Sequence, residues 1–361
     1  MSYPRLIVDV DKFRHNVRTV VGWCRKQGIS VAYVTKCTLA DPILCRAAQE
    51  EGAALFADSR LLNIAHLPMQ LPRLMLRIGC PEEAGVIVDA ADISLQSEVE
   101  TIRALGKAAW DRGVKHRVVL MIDLGDLREG IFFENSEGIL AAAEAVVRES
   151  YLELYGVGTN LTCFGGIVPS PQNLGVLTDI ADDLRRRFTL PLPFVSGGNS
   201  SSLPLLLSGR MPSGVTNLRV GESILLGTDT AHGGPLAGLY QDVFTLEVQL
   251  VEVQQKPSRP VGESSINAFG EKVDFEDRGE MVRGIAALGR QDVDIDGLRP
   301  LNAGVEILGG SSDHLLLDLS RCPQIGVGNV LSFIPAYGAL LRLYTSPFVE
   351  KMHFPRGIVN K

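Results

Sequence analysis

Most of what would place this chain in a specialised class is missing. Its 361 residues hold no apolar run approaching the roughly 20 needed to span a bilayer. The opening Met1-Ser-Tyr-Pro-Arg lacks a basic region followed by a long apolar core, so a signal peptide is not expected. The six cysteines (Cys24, Cys37, Cys45, Cys80, Cys163 and Cys322) are scattered without close pairs, which argues against a zinc site or disulfide framework and for a reducing cytosol. The six histidines form no cluster, so a protein-bound metal is not expected. There is no basic run, and a net charge of -7 spread along the chain disfavours nucleic acid. What remains is an ordinary globular composition, 45% hydrophobic and 21% charged, long enough for about two domains.

Short apolar runs and helical periods alternate through the first two thirds. Strands are expected near residues 31–36, 54–58, 74–78, 92–95, 118–123, 152–159, 194–197 and 217–220. Helical patterns lie between most of them, one opened by Asp41-Pro and one by a Ser-x-x-Glu box from Ser97 to Glu100. Eight such repeats fit a closed (β/α)8 TIM-type barrel better than an open sheet. After His232-Gly-Gly-Pro the texture becomes that of antiparallel strands with few helical patterns. The expected division is a barrel over residues 1–235 and a C-terminal all-β domain over 236–361.

In such a barrel, chemistry sits where strands end. Lys36 closes the first barrel strand, where a partly desolvated amine can form a Schiff base with an aldehyde; a solvated lysine capping a buried strand is the plain alternative. Ser196-Gly-Gly-Asn-Ser-Ser-Ser follows the seventh strand, the usual phosphate seat, although a Gly/Ser loop by itself is also a flexible turn. Arg219 on the eighth strand is a fixed cation, followed by Gly221 with a usable N–H; a rim salt bridge is its other reading. Arg128, in Asp123-Leu-Gly-Asp-Leu-Arg-Glu-Gly, suits a carboxylate, unless it serves Asp–Arg pairs within its own loop. Asn160 is placed to lie against a ring face or a hydroxyl.

Together these segments resemble the alanine-racemase-like fold type III enzymes, which use pyridoxal 5′-phosphate (PLP). The matches are Val34-Thr-Lys36 for the cofactor lysine, Asp123 to Gly130 for the carboxylate arginine, Asn199-Ser200 for phosphate, and Arg219 with Gly221 for the pyridine nitrogen and phosphate. Ser201 and Glu222 flank these motifs and join the expected cofactor shell. The resemblance narrows to the ornithine racemase branch through Phe56-Ala-Asp-Ser-Arg, Gly158-Thr-Asn-Leu-Thr-Cys-Phe-Gly, Leu218-Arg-Val-Gly-Glu-Ser, Ala268-Phe-Gly and Thr345-Ser-Pro-Phe-Val-Glu-Lys. It implies interconversion of L- and D-ornithine, with lysine or other basic amino acids as further substrates, and a homodimer with shared active sites. A basic amino-acid decarboxylase of the same fold and a broad-specificity or alanine racemase are the alternatives.

Two departures bear on mechanism. Asn160 stands where alanine racemases stack a histidine, and Gly289-Arg-Gln-Asp stands where they present a catalytic tyrosine. The segment Gly309-Gly-Ser-Ser-Asp-His is similar to one in the related decarboxylases that donates a proton across the dimer. That likeness implies Ser312 as the proton donor and Asp313 as partner of the substrate's distal ammonium, with a polar hairpin between two strands as the plain alternative. His314, Asp292 and Tyr337 are further candidates for the second acid/base, and Glu222 for the ammonium.

Overall fold

The computed structural model describes residues 3–68, 70–272 and 274–355, which fall into two compact units. One comprises residues 12–241, the other residues 1–11 with 242–361.

In the first unit eight parallel strands close on themselves: β2 (Ser30–Val34), β3 (Leu55–Asp58), β4 (Arg73–Met75), β5 (Ile93–Gln96), β6 (His116–Asp123), β8 (Leu152–Gly158), β9 (Phe194–Ser196) and β10 (Asn217–Val220). Closure is made by β10 against β2, with Arg219 opposite Ala32, and by β5 against β6. The two-residue strand β7 (Ile131–Phe132) sits on the flank of β6. Helices α1 (Val10–Arg25), α2 (Pro42–Glu50), α3 (Leu61–His66), α4 (Ala84–Ala90), α5 (Val99–Arg112), α6 (Ser136–Arg148), α7 (Pro171–Phe188), α8 (Leu203–Leu207) and α9 (Glu222–Leu226) alternate with them. Alternate residues of successive strands share one buried cluster, including Ala32, Val34, Leu55, Ala57, Leu95, Val119 and Met121. A closed barrel requires that alternation, because inward and outward positions succeed one another along each strand.

All eight expected barrel strands are present. Asp41 caps α2 by accepting from the N–H groups of Ile43 and Leu44. The Ser97–Glu100 box does not form: β5 runs to Gln96 and the N-cap is Glu98, without a side-chain bond, so Ser97 lies one residue too early.

The second unit is built on β11 (Phe244–Pro257), β12 (Glu280–Ala286), β13 (Leu298–Pro300), β14 (Glu306–Gly310), β15 (Leu315–Asp318) and β16 (Val330–Pro335), ordered β13-β16-β11-β12-β15-β14. The first strand of the chain, β1 (Arg5–Asp9), pairs antiparallel with β11 and parallel with β17 (Glu350–Phe354). Residues 1–11 therefore belong with the β unit, and the expected 1–235 and 236–361 division is corrected by that pairing. A helix not anticipated from the sequence, α10 (Tyr337–Thr345), follows β16; its apolar stripe Ala339, Leu340 and Leu343 is buried. Among the described residues, no helix is long and apolar enough to cross a membrane.

One buried side chain couples the barrel wall to pH. His116, at the start of β6, is 1% exposed, and its Nε2 lies 2.8 Å from Ser94 Oγ. Burial pushes its pKa down from 6.5 to about 4, so the folded barrel favours the neutral ring. Its stabilising contribution is complete above the unfolded value and is lost as pH falls from 6.5 towards 4. Between pH 7 and pH 5 the wild type should lose about 2 kcal/mol more unfolding free energy than His116→Asn. Urea titrations of both proteins check this; equal losses would contradict it.

Candidate active site

The C-terminal ends of the barrel strands gather the polar residues singled out above. Lys36 does not extend the strand. Strand β2 ends at Val34, and Lys36 opens a 3-10 turn, Lys36–Thr38. Beyond it Leu39 and Ala40 take left-handed conformations with φ of 49° and 55°, which bend the chain sharply. The turn is fixed from beneath by the fully buried Asp58, whose carboxylate accepts from Thr35 Oγ1 at 2.6 Å and from Arg60 N at 2.9 Å. The Phe56-Ala-Asp-Ser-Arg segment thus holds Lys36 in place through its neighbour Thr35. Lys36 itself is exposed. Its charge draws down the Glu222 carboxyl against the upward push of burial, which prevails.

Arg219 is the opposite case, a cation 2% exposed inside the barrel end. It donates to Ser196 Oγ at 2.5 Å, Thr159 O at 2.7 Å and Asn160 Oδ1 at 2.7 Å. Hydrogen bonds to a charged group contribute about 1.5–3 kcal/mol each, set against a desolvation cost of several kcal/mol. Burial brings its pKa down to about 10, with the Glu129 carboxylate opposing the shift, so the guanidinium stays charged at neutral pH.

The Asp123–Gly130 motif divides its labour. Asp126 is fully buried, and its carboxylate accepts from the N–H groups of Thr162, Cys163, Phe164 and Ile167 at 2.9–3.1 Å. It therefore anchors the loop that follows Asn160. Asp123 Oδ1 accepts from Gly125 and Leu127 N–H within its own turn. Gly130 has φ +128°, and a Cβ there would lie 2.6 Å from Asp123 N. A Cβ at Gly165 would lie 2.8 Å from Asp126 O, so the two loops approach too closely for any larger residue. Arg128 is held by the carboxylate of the next residue, Glu129, with Nη2 to Oε1 at 2.5 Å. Asn160 Nδ2 donates to the same Oε1. Asn160 therefore bridges Glu129 to Arg219.

The Gly/Ser loop is an ordered turn. Ser200–Ser202 forms a 3-10 helix that runs into α8. Ser200 Oγ accepts from the N–H groups of Gly221 and Ser223 at 3.4 and 3.2 Å, so the loops after β9 and β10 meet at this hydroxyl. The Asn199 side chain is committed to structure: it accepts from Ser201 N at 2.8 Å and donates to Leu161 O at 3.0 Å and to Cys163 Sγ at 3.3 Å. Ser201 Oγ lies 3.5 Å from Leu161 O.

In the β unit, Ser312, Asp313 and His314 are exposed at the tip of the hairpin joining β14 and β15. Gly289 packs under that tip, and the N–H groups of Arg290 and Gln291 donate to Ser311 O and Ser312 O at 2.9 and 3.1 Å. The Gly289-Arg-Gln-Asp segment and the Gly309-Gly-Ser-Ser-Asp-His segment are thus joined backbone to backbone. Asp292 is different: it is 5% exposed and accepts from Ser346 Oγ at 2.6 Å, which fits it to hold the Thr345-Ser-Pro turn rather than to exchange protons. Tyr337 is the half-buried first residue of α10.

The donor set fits PLP. Lys36 supplies an amine, Ser200 and Gly221 supply hydroxyl and N–H groups, and Arg219 keeps a permanent charge. Among the described residues Arg219 Nε makes no hydrogen bond, and the buried Thr159 Oγ1 beside it has no partner. Among the same residues no group of three or more His, Cys, Asp or Glu is placed to hold a metal. Sequence reading missed Glu129, Asp126, Thr35, Asp58 and Ser196. All five lie inside the quoted motifs, which was the one signal they carried; the partners that define their roles are distant in sequence or depend on a local turn.

Residues 8–229 match the family model described as alanine racemase, N-terminal domain. An ornithine racemase of Acetoanaerobium sticklandii is 43% identical over 351 residues, which is 97% of this chain and 99% of that one. A lysine racemase of Thermotoga maritima is 36% identical over 98% of this chain and 99% of its own length. Among solved structures, alanine racemase from Streptomyces coelicolor A3(2) superposes with a TM-score of 0.76 at 18% identity, covering 98% of both chains. A D-threonine aldolase from Filomicrobium marinum gives 0.72 at 15% identity, over 95% of this chain and 89% of its own. Likenesses of that order establish the fold. With its barrel matched from end to end, the chain belongs to the alanine racemase N-terminal domain family.

Proposed function

We propose that this chain is a PLP-dependent amino-acid racemase that interconverts L- and D-ornithine and also takes lysine. The observation that carries the reading is the buried, fully charged Arg219 at the barrel end that also holds Lys36, Arg128 and Ser200. The two relatives of highest identity named above, an ornithine racemase and a lysine racemase, support the choice of substrate class.

PLP, when bound, supplies the electron withdrawal that acidifies the substrate's Cα proton. Lys36 would anchor the cofactor, and its amine would accept or return a proton at one face of the substrate's Cα. Ser200, Ser201 and Gly221 N–H bind the phosphate. Arg219 would face the pyridine nitrogen as a permanent cation and keep it unprotonated, which would temper the electron withdrawal and disfavour transamination and decarboxylation. Arg128 fixes the α-carboxylate. Racemisation needs a proton donor and acceptor on the second face as well. We assign that role to the β unit of a second copy, through Ser312, His314 or Tyr337, which makes the working enzyme a homodimer. An ammonium buried without a partner is costly, and Asp313 on the same exposed tip and Glu222 at the barrel end are our choices to meet it. The six unpaired cysteines suit a cytoplasmic enzyme.

The direct test is chiral chromatography of a panel of amino acids incubated with PLP-loaded protein. Ornithine of either hand should converge on equal amounts of both, with lysine slower. Release of CO2 without racemisation would replace the reading with a decarboxylase. Lys36→Ala should abolish both turnover and the visible absorbance of bound cofactor; racemisation at the wild-type rate would refute the anchor. Asp313→Ala should lower kcat/KM for ornithine about tenfold or more relative to alanine. Equal losses on both substrates would remove Asp313 from the distal ammonium.

A further inference from the structure

We infer that Glu129 is a positioning residue that presents Arg128 to the α-carboxylate of the substrate; the inference rests on Arg128 binding that carboxylate. Side chains of adjacent residues normally point apart, yet here the backbone is turned by Leu127 at φ 55° and Gly130 at φ 128°, and the Arg128 and Glu129 side chains meet. Glu129 takes the Nε edge of the guanidinium with both of its oxygens, Oε2 to Nε and Oε1 to Nη2. A guanidinium has a second edge. Its Nη1 donates to nothing among the described residues, so that edge is left for a ligand carboxylate while the first is clamped.

The clamp is itself held. Glu129 Oε1 also accepts from Asn160 Nδ2, and Asn160 Oδ1 accepts from Arg219 Nη2 at 2.7 Å. Arg128, Glu129, Asn160 and Arg219 thus form one continuous chain of side-chain hydrogen bonds. Glu129 presents two acceptor oxygens to three donors: Nε and Nη2 of Arg128, and Nδ2 of Asn160. Glutamine at this position keeps the size but has one acceptor oxygen, so at least one of those donors would face an NH2 group. It also removes the charge that opposes Arg128's desolvation and sustains its raised pKa.

The test separates the carboxylate from the rest of the substrate. Apparent dissociation constants of the PLP-loaded protein are measured from the change in cofactor absorbance with L-ornithine and with 1,4-diaminobutane, which has the two amines but no α-carboxylate. Glu129→Gln should retain the absorbance of bound cofactor and weaken ornithine about tenfold, while diaminobutane changes less than about twofold. Glu129→Asp should fall between glutamine and wild type, and it serves in place of glutamine if that variant does not fold. Equal weakening of both ligands would overturn the inference and move Glu129 to the distal ammonium or to folding alone. No weakening of either would overturn it as well. Arg128→Ala, run in parallel, isolates the underlying assignment. If it leaves the ratio of ornithine to diaminobutane affinity unchanged, Arg128 is not the carboxylate's partner. If it changes that ratio and Glu129→Gln does not, only the role of Glu129 fails.

Discussion

Keeping one guanidinium charged inside a barrel is the constraint on which this site depends. Arg219 sits on the strand that closes the barrel, beside the strand that delivers Lys36. Its acceptors come from the ends of the two strands preceding its own in the sheet, β8 and β9: Thr159 O and Asn160 Oδ1 after the first, Ser196 Oγ from the second. Loss of any one would leave a buried charge underpaired, which is among the costlier defects a core can carry. The cation therefore fixes the mouth of the barrel before any ligand arrives. Under the proposed function it would also set the chemistry, since a permanent positive charge at a cofactor's ring nitrogen would temper its electron withdrawal.

Around that charge the site has a layered order. Thr35 and Asp58 hold the turn that carries Lys36, and Asp126 gathers four backbone N–H groups to hold the loop that carries Asn160. Ser200 joins the two loops that would cradle a phosphate. Lys36, Arg128, Asn160 and Ser200 thus stand on turns held by side-chain to backbone hydrogen bonds. That is what a reaction needs when it has to control which face of a carbon loses its proton.

Sequence reasoning reached the residues whose role depends on position along the chain. Lys36, Arg128, Ser200 and Arg219 each end a strand or follow one, and an alternating pattern of strands and helices is enough to place them. It did not reach roles set by long-range geometry. Asp126 works on residues 36 to 41 positions further on. Glu129 meets its own neighbour only because of a left-handed turn. Strand β1 reads locally as the start of the barrel, yet its register is with Leu246 and Met352 at the other end of the chain. Asp292 was attractive by type and motif, and burial against Ser346 gives it different work. Helix α10 was overlooked because its nine residues lie among strands, where a short apolar stripe is ambiguous.

The claim at the centre is that Lys36 is the amine that holds the cofactor above the buried arginine. Borohydride reduction of the PLP-loaded protein fixes the cofactor on whichever lysine carries it, and peptide mapping by mass spectrometry then locates the added pyridoxyl group. The account predicts one modified lysine per chain, on the peptide containing Lys36. Modification of a different lysine, or none at stoichiometric yield, would contradict it.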